Sequence, residues 1–466
     1  MNAPPLTRSL SHELSAYIAG ADARAIPPQA LDAARLFMLD TLAVAWAGSE
    51  APGCREIHAT LADAGGRADS TAWGFGGRLP ATAAALLNGT TAAALDFDSL
   101  SRYAPVHVPI VVLPAALAIA ERKHASGSDF LAALTIGSDV LCRLGAAVEL
   151  PHRGFFYTSA FGGIGAAAAA ARLLRLDVEQ TRHALGLAFC QAGGTQQANI
   201  EPSLSKRMLS GFAARAGVDA ALLAERGITA PADIIEGQFG LFALYQQGNA
   251  GRLVDKLGIE FRNTELSVKK FPSCGCNHTA IAATLKLVQR YDLKPDDVDA
   301  IEVTVSPYID RISGMEYDPG ANPQVAAQFS IRYSIACALV RRRLGLAEID
   351  AAAATDPQIV RHVRKVSVIV DPALTGERGP VTVMLRTRTH GEISERVEHV
   401  PGSVESPLSQ AELDEKFGEC FGRGVHPLDA AQVDALSTRV NNVASWPDMA
   451  TFFDGFTAGG NTAKKR

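Results

Sequence analysis

The sequence predicts a mainly α-helical protein with a smaller α+β domain inserted toward its C-terminal end. Three observations predict it. Alanine and leucine recur at helical spacing from residue 28 to about residue 262, the pattern changes to period-two alternation near residue 263, and helical spacing returns after about residue 402. A chain of 466 residues, 47% hydrophobic and 20% charged, is long enough for two or three domains with cores of their own.

The first region reads as helix after helix, as in "ALDAARLFMLDTLAVAWAG", "FGGIGAAAAAARLLRLD" and "SGFAARAGVDAALLAERG". Six consecutive alanines, Ala166 to Ala171, predict a buried helix whose neighbours approach closely. Gly48 and Gly227 stand where helix C-caps belong. Next comes "NHTAIAATLKLV", a helix with Asn277 as its candidate N-cap. "AIEVTVSP" alternates as a half-buried strand does, and "AQFSIRYSIACALVRRRLG" returns to a helix. "VRKVSVIVD", "GPVTVMLRTRTHG" and "EISERVEHV" are three further strands, and the last helices are "SPLSQAELDEKFGECFGR" and "PLDAAQVDALSTRVNNVASW". The predicted division is a helical domain from residues 1–263 and 403–458, an α+β domain over 264–402, and a disordered tail at 459–466. Clefts between such domains are common ligand sites.

The net charge of −5 with no basic block argues against a nucleic-acid partner. The start of the chain lacks a basic segment followed by an apolar core, so no secretion signal is expected. The longest apolar run, "VPIVVLPAALAIA", holds two prolines and falls well short of the roughly 20 residues a spanning helix needs. Seven scattered cysteines do not form a secreted disulfide framework. The expectation is a soluble, cytoplasmic protein with no membrane partner.

The stretch "VKKFPSCGCNHTAIAATLKLV" concentrates reactive residues. Zinc on Cys274, Cys276 and His278 lacks a fourth ligand and the paired knuckle spacing of structural sites, so no metal is expected. Cys274 as a nucleophile has no visible base partner. Lys269 and Lys270 beside a helix start would suit a carboxylate, or would be ordinary exposed lysines on a loop. G-x-S-x-G, P-loop, H-E-x-x-H and Rossmann signatures are absent. In "LDFDSLSRYAPVHVP", Asp96 and Asp98 precede His107 at the mouth of an apolar helix, an acid/base arrangement or simply capping residues. "SLSKRMLSGFAARAG" places Lys206 at a helix start.

Together these stretches resemble the MmgE/PrpD family, which contains 2-methylcitrate dehydratase, cis-aconitate decarboxylase and iminodisuccinate epimerase. The pieces that carry the resemblance run along nearly the whole chain in the family's order: "LNGTTAAALDFD", "HVPIVVLPAALAIAE", "RGFFYTSAFGGIGAAAAAARLLRLD", "SKRMLSGFAARAGVDAALLAERG", "VKKFPSCGCNHTAIAA", "AQFSIRYSIACALV" and "SPLSQAELDEKF". The resemblance implies a helical domain built from both chain ends, an inserted α+β lid, a homodimer, no cofactor and no metal. It also implies a small di- or tricarboxylate bound between the domains.

Residue by residue, Asp96 matches the first acid of the D-F-[DN]-D-T motif, His107 the histidine after it, and Lys206 the lysine of the K-x-x-x-x-G helix start. Lys269 matches the lid lysine three before the proline, and Tyr333 the tyrosine of "FSIRY". Other positions depart. Ser99 and Leu100 replace the aspartate and threonine, and Phe156 and Tyr157 replace the histidine and proline of G-[FW]-H-P. Ala93 stands where a histidine often does, and Cys274 where the decarboxylases have histidine.

All three family reactions place negative charge on carbon beside a carboxylate. Lys206 and Lys269 would hold the substrate with Cys274 nearby. His107 would be the base, with a lysine brought down by burial as the alternative. Asp96 belongs to the same group, and Tyr157 or Tyr333 would donate on the second face of the carbon. Missing Thr and His at Leu100 and Phe156 hurt dehydration and decarboxylation more than epimerisation. The expected activity is therefore a cofactor-independent epimerase of an iminodisuccinate-like dicarboxylate. The alternatives are a dehydratase or lyase of a 2-methylcitrate-like acid, and a non-catalytic carboxylate-binding relative.

Overall fold

The computed structural model describes residues 9–149, 152–201 and 203–456. Its architecture is mainly helical, with small sheets. The predicted tail at 459–466 lies outside the described residues. Helices α1 (Pro28–Gly48), α2 (Ala81–Ala93), α3 (Pro109–Lys123), α4 (Gly127–Ala146), α5 (Gly162–Leu173) and α6 (Ser205–Glu225) build the larger core.

Small residues set how closely these helices pack. Ala166 to Ala171 of α5 are all fully buried. A Cβ on Gly217 of α6 would lie 2.4 Å from the Ala166 Cβ, and one on Gly165 would lie 2.7 Å from the Leu141 Cβ of α4. Helices α2 and α6 meet at Gly89 and Gly211, where an added Cβ on Gly211 would sit 2.2 Å from the Leu86 carbonyl oxygen. Backbones that touch in this way fix the helix axes tightly, because the interior has no slack to absorb a methyl group.

The first region is not wholly helical, since Ser70–Thr71 pairs antiparallel with Arg78–Leu79. A four-stranded sheet follows, with β1 (Val298–Val305), β2 (Val366–Val370), β3 (Val381–Thr387) and β4 (Gly391–Val397) in the order β2-β1-β3-β4. β1 pairs parallel with β2, and the other pairs are antiparallel. Val303 lies opposite both Val368 and Val383. Alternate residues Ile301, Val303, Val383 and Leu385 point to one face, where α7 (His278–Arg290) and α8 (Ile331–Arg341) cover them with Ala283, Leu287, Ile335 and Leu339.

Helix α8 serves both cores. Ile331 and Ile335 face the sheet, while Tyr333, Ala336 and Cys337 join the larger helical core. Helix α9 (Gln410–Phe421) brings the chain back to α1, with Trp46 and Phe421 ring centroids 5.9 Å apart. A 3-10 turn at Gly275–Asn277 precedes α7, and the Asn277 side chain does not cap it. Its amide nitrogen instead donates to the Ser273 hydroxyl at 2.7 Å and the Gln328 carbonyl at 3.3 Å. Among the described residues, no helix is long and apolar enough to cross a membrane.

Candidate active site

The loop after α2 carries the acidic pair. Asp96 has φ 49, a left-handed conformation that aspartate tolerates better than most residues, and the turn buries both Asp96 and Asp98. Farther on, Leu100 N donates to the Ser267 carbonyl at 2.9 Å and Ser267 N returns a bond to Leu100 at 2.8 Å. This pairing lays the loop beside the segment that ends in Lys269. Val268 N in turn donates to the Gly402 carbonyl at 3.0 Å. Gly402 has φ 90, and a Cβ there would lie 1.8 Å from the Val268 oxygen, so only glycine fits.

The result is a buried charge network. Lys269 Nζ donates to Asp96 Oδ2 at 2.8 Å and to the Asp96 carbonyl at 2.7 Å, and lies 4.0 Å from Asp98 Oδ1. Lys206 Nζ, from the first turn of α6, bonds Asp96 Oδ1 and lies 4.9 Å from the Phe329 ring centroid. Burial works against the Asp96 charge, but Lys206, Lys269 and His107 more than offset it and hold this carboxyl well below the usual range. Burial also opposes the Asp98 charge, and His107 and Lys269 bring that carboxyl below its usual value. Burial likewise opposes the Lys269 charge, yet Asp96 and Asp98 hold its pKa above the ordinary lysine value. Lys269 is thus an ammonium near neutrality, not a lysine brought down by burial.

His107 stands at the other end of this network. Its Nδ1 lies 2.6 Å from Asp98 Oδ2 and 3.1 Å from the Ser99 carbonyl. Two acceptors at Nδ1 assign the neutral ring's hydrogen to that atom, leaving the Nε2 lone pair basic. Nε2 has no hydrogen-bond partner among the described residues. The His107 backbone is fixed by its N–H bond to the Thr158 hydroxyl at 3.0 Å.

Asp96, His107, Lys206, Lys269 and Cys274 all line one cavity of about 50 Å³. Its apolar wall is Leu100, Phe156, Phe329 and Ile312. The lysine side chains differ in access: Lys206 is 10% exposed, whereas Lys269 is 0% exposed behind Asp96. Two carboxylates oppose two ammonium groups here, so the quartet is formally neutral and not the cationic floor that the sequence suggests. Tyr157 and Tyr333 are not brought to this cavity. The Tyr157 hydroxyl bonds Gln246 Oε1 at 2.5 Å and lies 3.1 Å from His152 Nδ1. The Tyr333 hydroxyl donates to the Glu348 carbonyl from within the larger core.

Sequence reasoning missed three polar cavity residues, Tyr308, Arg378 and Gln196. None belongs to a recognisable motif, and each is distant in sequence from the acidic loop. The half-buried Tyr308 hydroxyl has no hydrogen-bond partner among the described residues, and burial raises its pKa. Arg378 donates to the Ser101 carbonyl at 2.5 Å and also lines an outer groove of about 390 Å³, so it stands between groove and cavity. Lys416 of α9 was missed as well. Its Nζ lies 2.5 Å from Asp40 Oδ1 and donates at 3.0 Å to the carbonyls of both Phe97 and Lys269, tying the two halves of the site together.

Comparison with known proteins identifies the family. The MmgE/PrpD N-terminal domain model matches residues 12–253 and the MmgE/PrpD C-terminal domain model matches residues 271–441. A cis-aconitate decarboxylase-like protein of Aspergillus oryzae is 29% identical over 425 residues, covering 84% of this chain and 86% of its own. A cis-aconitate decarboxylase of Aspergillus terreus is 29% identical over 347 residues, 70% of each chain. The cis-aconitate decarboxylase of Homo sapiens is 26% identical over 432 residues, 88% of each. These relatives are lyases, which overturns the expected isomerase. That expectation weighed the missing imidazole and threonine as losses and overlooked what the apolar side chains in their place supply. With both domain models matched along most of its length, the chain belongs to the MmgE/PrpD family.

Proposed function

We propose that this protein is a lyase that removes carbon dioxide from a small tricarboxylate of the cis-aconitate type. The observation that carries this reading is the mixed lining of the cavity, in which His107 and the Asp96–lysine cluster stand beside Phe156, Leu100, Phe329 and Ile312, with Lys206 Nζ 4.9 Å from the Phe329 ring centroid. A carboxylate pressed against an apolar wall loses hydration, while the carbon dioxide it becomes is uncharged. The C–C bonding pair would pass into the adjacent alkene and onto a neighbouring carboxylate. Lys206, the more exposed lysine, would meet that developing charge, and Lys269 would act behind Asp96. Protonated His107, paired with Asp98, would return a proton to carbon, giving an unsaturated dicarboxylate. Arg378, with no carboxylate in ion-pair contact among the described residues, supplies the positive charge that the neutral quartet lacks.

A second reading, dehydration of a 2-methylcitrate-like acid, is favoured by the unpartnered Tyr308 hydroxyl, which would protonate a leaving hydroxyl. The test is to supply cis-aconitate and 2-methylcitrate separately and follow carbon dioxide release and alkene formation. Carbon dioxide from cis-aconitate supports the first reading. A new alkene from 2-methylcitrate without carbon dioxide supports the second.

The same proposal takes the division at residues 263 and 402, with 264–402 as a lid over the cavity. It also includes a cytoplasmic homodimer. Seven unpaired cysteines fit a reducing compartment, and Phe212 and Leu223 of α6, 48% and 44% exposed, offer apolar surface for a second copy.

A further inference from the structure

The loop between β2 and β3, residues 371–380, reaches two distant parts of the chain through adjacent side chains of opposite charge. Arg378 donates to the Ser101 carbonyl at 2.5 Å and lines the cavity. Glu377 Oε1 lies 2.8 Å from Nε2 of His152, whose side chain is 4% exposed. Neither His152 nor Glu377 has a part in the chemistry above.

The hydrogen bonds around His152 fix where its protons stand. The Gln246 amide cannot flip, because its Oε1 accepts from Arg153 N at 3.0 Å and its Nε2 donates to the Glu149 carbonyl at 2.5 Å. The Tyr157 hydroxyl lies 2.5 Å from the same Oε1, so its hydrogen goes there. The Tyr157 oxygen then accepts from His152 Nδ1, 3.1 Å away. With Nδ1 committed as a donor, Nε2 meets the Glu377 carboxylate, and that contact needs a further proton between the two. Without it a nitrogen lone pair would face a carboxylate oxygen at 2.8 Å.

We infer that His152 and Glu377 form a proton-dependent latch that fastens this loop and keeps the Glu377 carboxylate from neutralising Arg378. Both are positioning residues, and their role rests on the reading of Arg378 as a cation that meets the substrate. While the proton is present, Glu377 is held by His152 and Arg378 is left for a carboxylate ligand. As pH rises and the proton leaves, the contact turns repulsive. Glu377 is then released beside Arg378, and the two opposite charges can pair. The other groups that face His152 are the Tyr157 hydroxyl, the Tyr308 ring at 6.1 Å, and Arg153 and Arg311, which line a shared pocket with it. Arg311 is engaged over the Tyr308 ring at 5.3 Å. Among the described residues, Glu377 is the one carboxylate in ion-pair contact with His152.

The test measures hydrogen exchange of residues 371–380 in the intact protein, Glu377→Gln and His152→Phe, always compared at the same pH and without substrate. The amide introduced by Glu377→Gln can donate to an unprotonated Nε2, so its latch needs no further proton. The expected result is equal exchange in the native protein and Glu377→Gln at low pH, with the native protein several-fold faster as pH rises. His152→Phe should exchange fast throughout. Equal exchange in all three proteins at every pH overturns the latch. Steady-state kinetics then read Arg378. KM for the carboxylate should rise about tenfold in His152→Phe with kcat little changed, and fall back when Glu377→Ala is added, since the freed carboxylate is gone. A KM unchanged in His152→Phe, or one that rises further in the double variant, overturns the positioning role. The exchange measurement involves no substrate, so failure of the latch and failure of the decarboxylase reading are told apart.

Discussion

Lys269 Nζ donates to both the side chain and the backbone carbonyl of Asp96, at 2.8 and 2.7 Å, with no part of the lysine side chain exposed. The pair joins the segment before α7 to the loop after α2, adding a buried ion pair to the Leu100–Ser267 backbone bonds and to the bridge made by Lys416. Removing one partner strands the other charge. Lys269→Met and Asp96→Asn should each destabilise the protein by about 3 kcal/mol, and the double variant should lose clearly less than the sum. Urea titration of the four proteins measures the coupling. Strict additivity would mean that the two residues do not act as a pair. Activity should fall by at least about a hundredfold in Lys269→Met, because the charge that orders Asp96 and Lys206 is lost.

Asp98 holds the hydrogen of His107 at Nδ1 and would stabilise the protonated ring. Asp98→Asn keeps the shape but presents a donor or a weaker acceptor to that nitrogen. The expected effect is a fall in kcat on the order of 10²- to 10⁴-fold with KM little changed. A variant that changed KM alone would place His107 in substrate binding only.

Glu121, at the end of α3, is buried and accepts from Thr71 N at 2.9 Å, the Thr71 hydroxyl at 2.6 Å and Arg78 at 2.9 Å. Burial nevertheless raises its pKa to about 7. An acid whose folded pKa exceeds its unfolded value, about 4.3, binds its proton more tightly when folded. Its stabilising contribution is full below the unfolded pKa and is lost as pH rises to about 7. Glu121→Gln should therefore flatten the decline in stability between about pH 4 and about pH 7, read as thermal midpoints across that range. An unchanged slope would show that Glu121 does not set it.

Gly211 touches α2 through the Leu86 carbonyl, where a Cβ would lie 2.2 Å away, and a Cβ would also lie 2.4 Å from Thr90 Oγ1. Both contacts are with α2, which leads into Asp96, while Gly211 is on the helix that carries Lys206. Gly211→Ala should cost about 1–3 kcal/mol and lower kcat as well, because it pushes Lys206 away from Asp96. Gly418→Ala, where a Cβ meets nothing within 4 Å, is the control and should be nearly silent.

Much of this was legible in the sequence because it rests on local pattern. Period-two alternation marked β1, β2, β3 and β4, and the alanine run marked the close packing of α5. Asp96, His107, Lys206 and Lys269 were legible because each sits in a short motif at a helix boundary. Tyr308, Arg378 and Lys416 were not, since only the tertiary fold carries them to the acidic loop. The aromatic hydroxyls failed for another reason. Tyr157 and Tyr333 stand in the right segments, but rotamer and packing aim their hydroxyls at Gln246 and the Glu348 carbonyl. Replacing polar groups with Phe156 and Leu100 reads in sequence as loss, whereas in three dimensions it makes an apolar wall.

The most direct measurement follows carboxyl-labelled cis-aconitate by carbon and proton NMR in D2O with the purified protein. The account predicts labelled carbon dioxide together with an unsaturated dicarboxylate carrying one deuterium on the former alkene carbon, beside the carboxylate that took up the bonding pair. Exchange of substrate hydrogen for deuterium with all carboxyl label retained would contradict it.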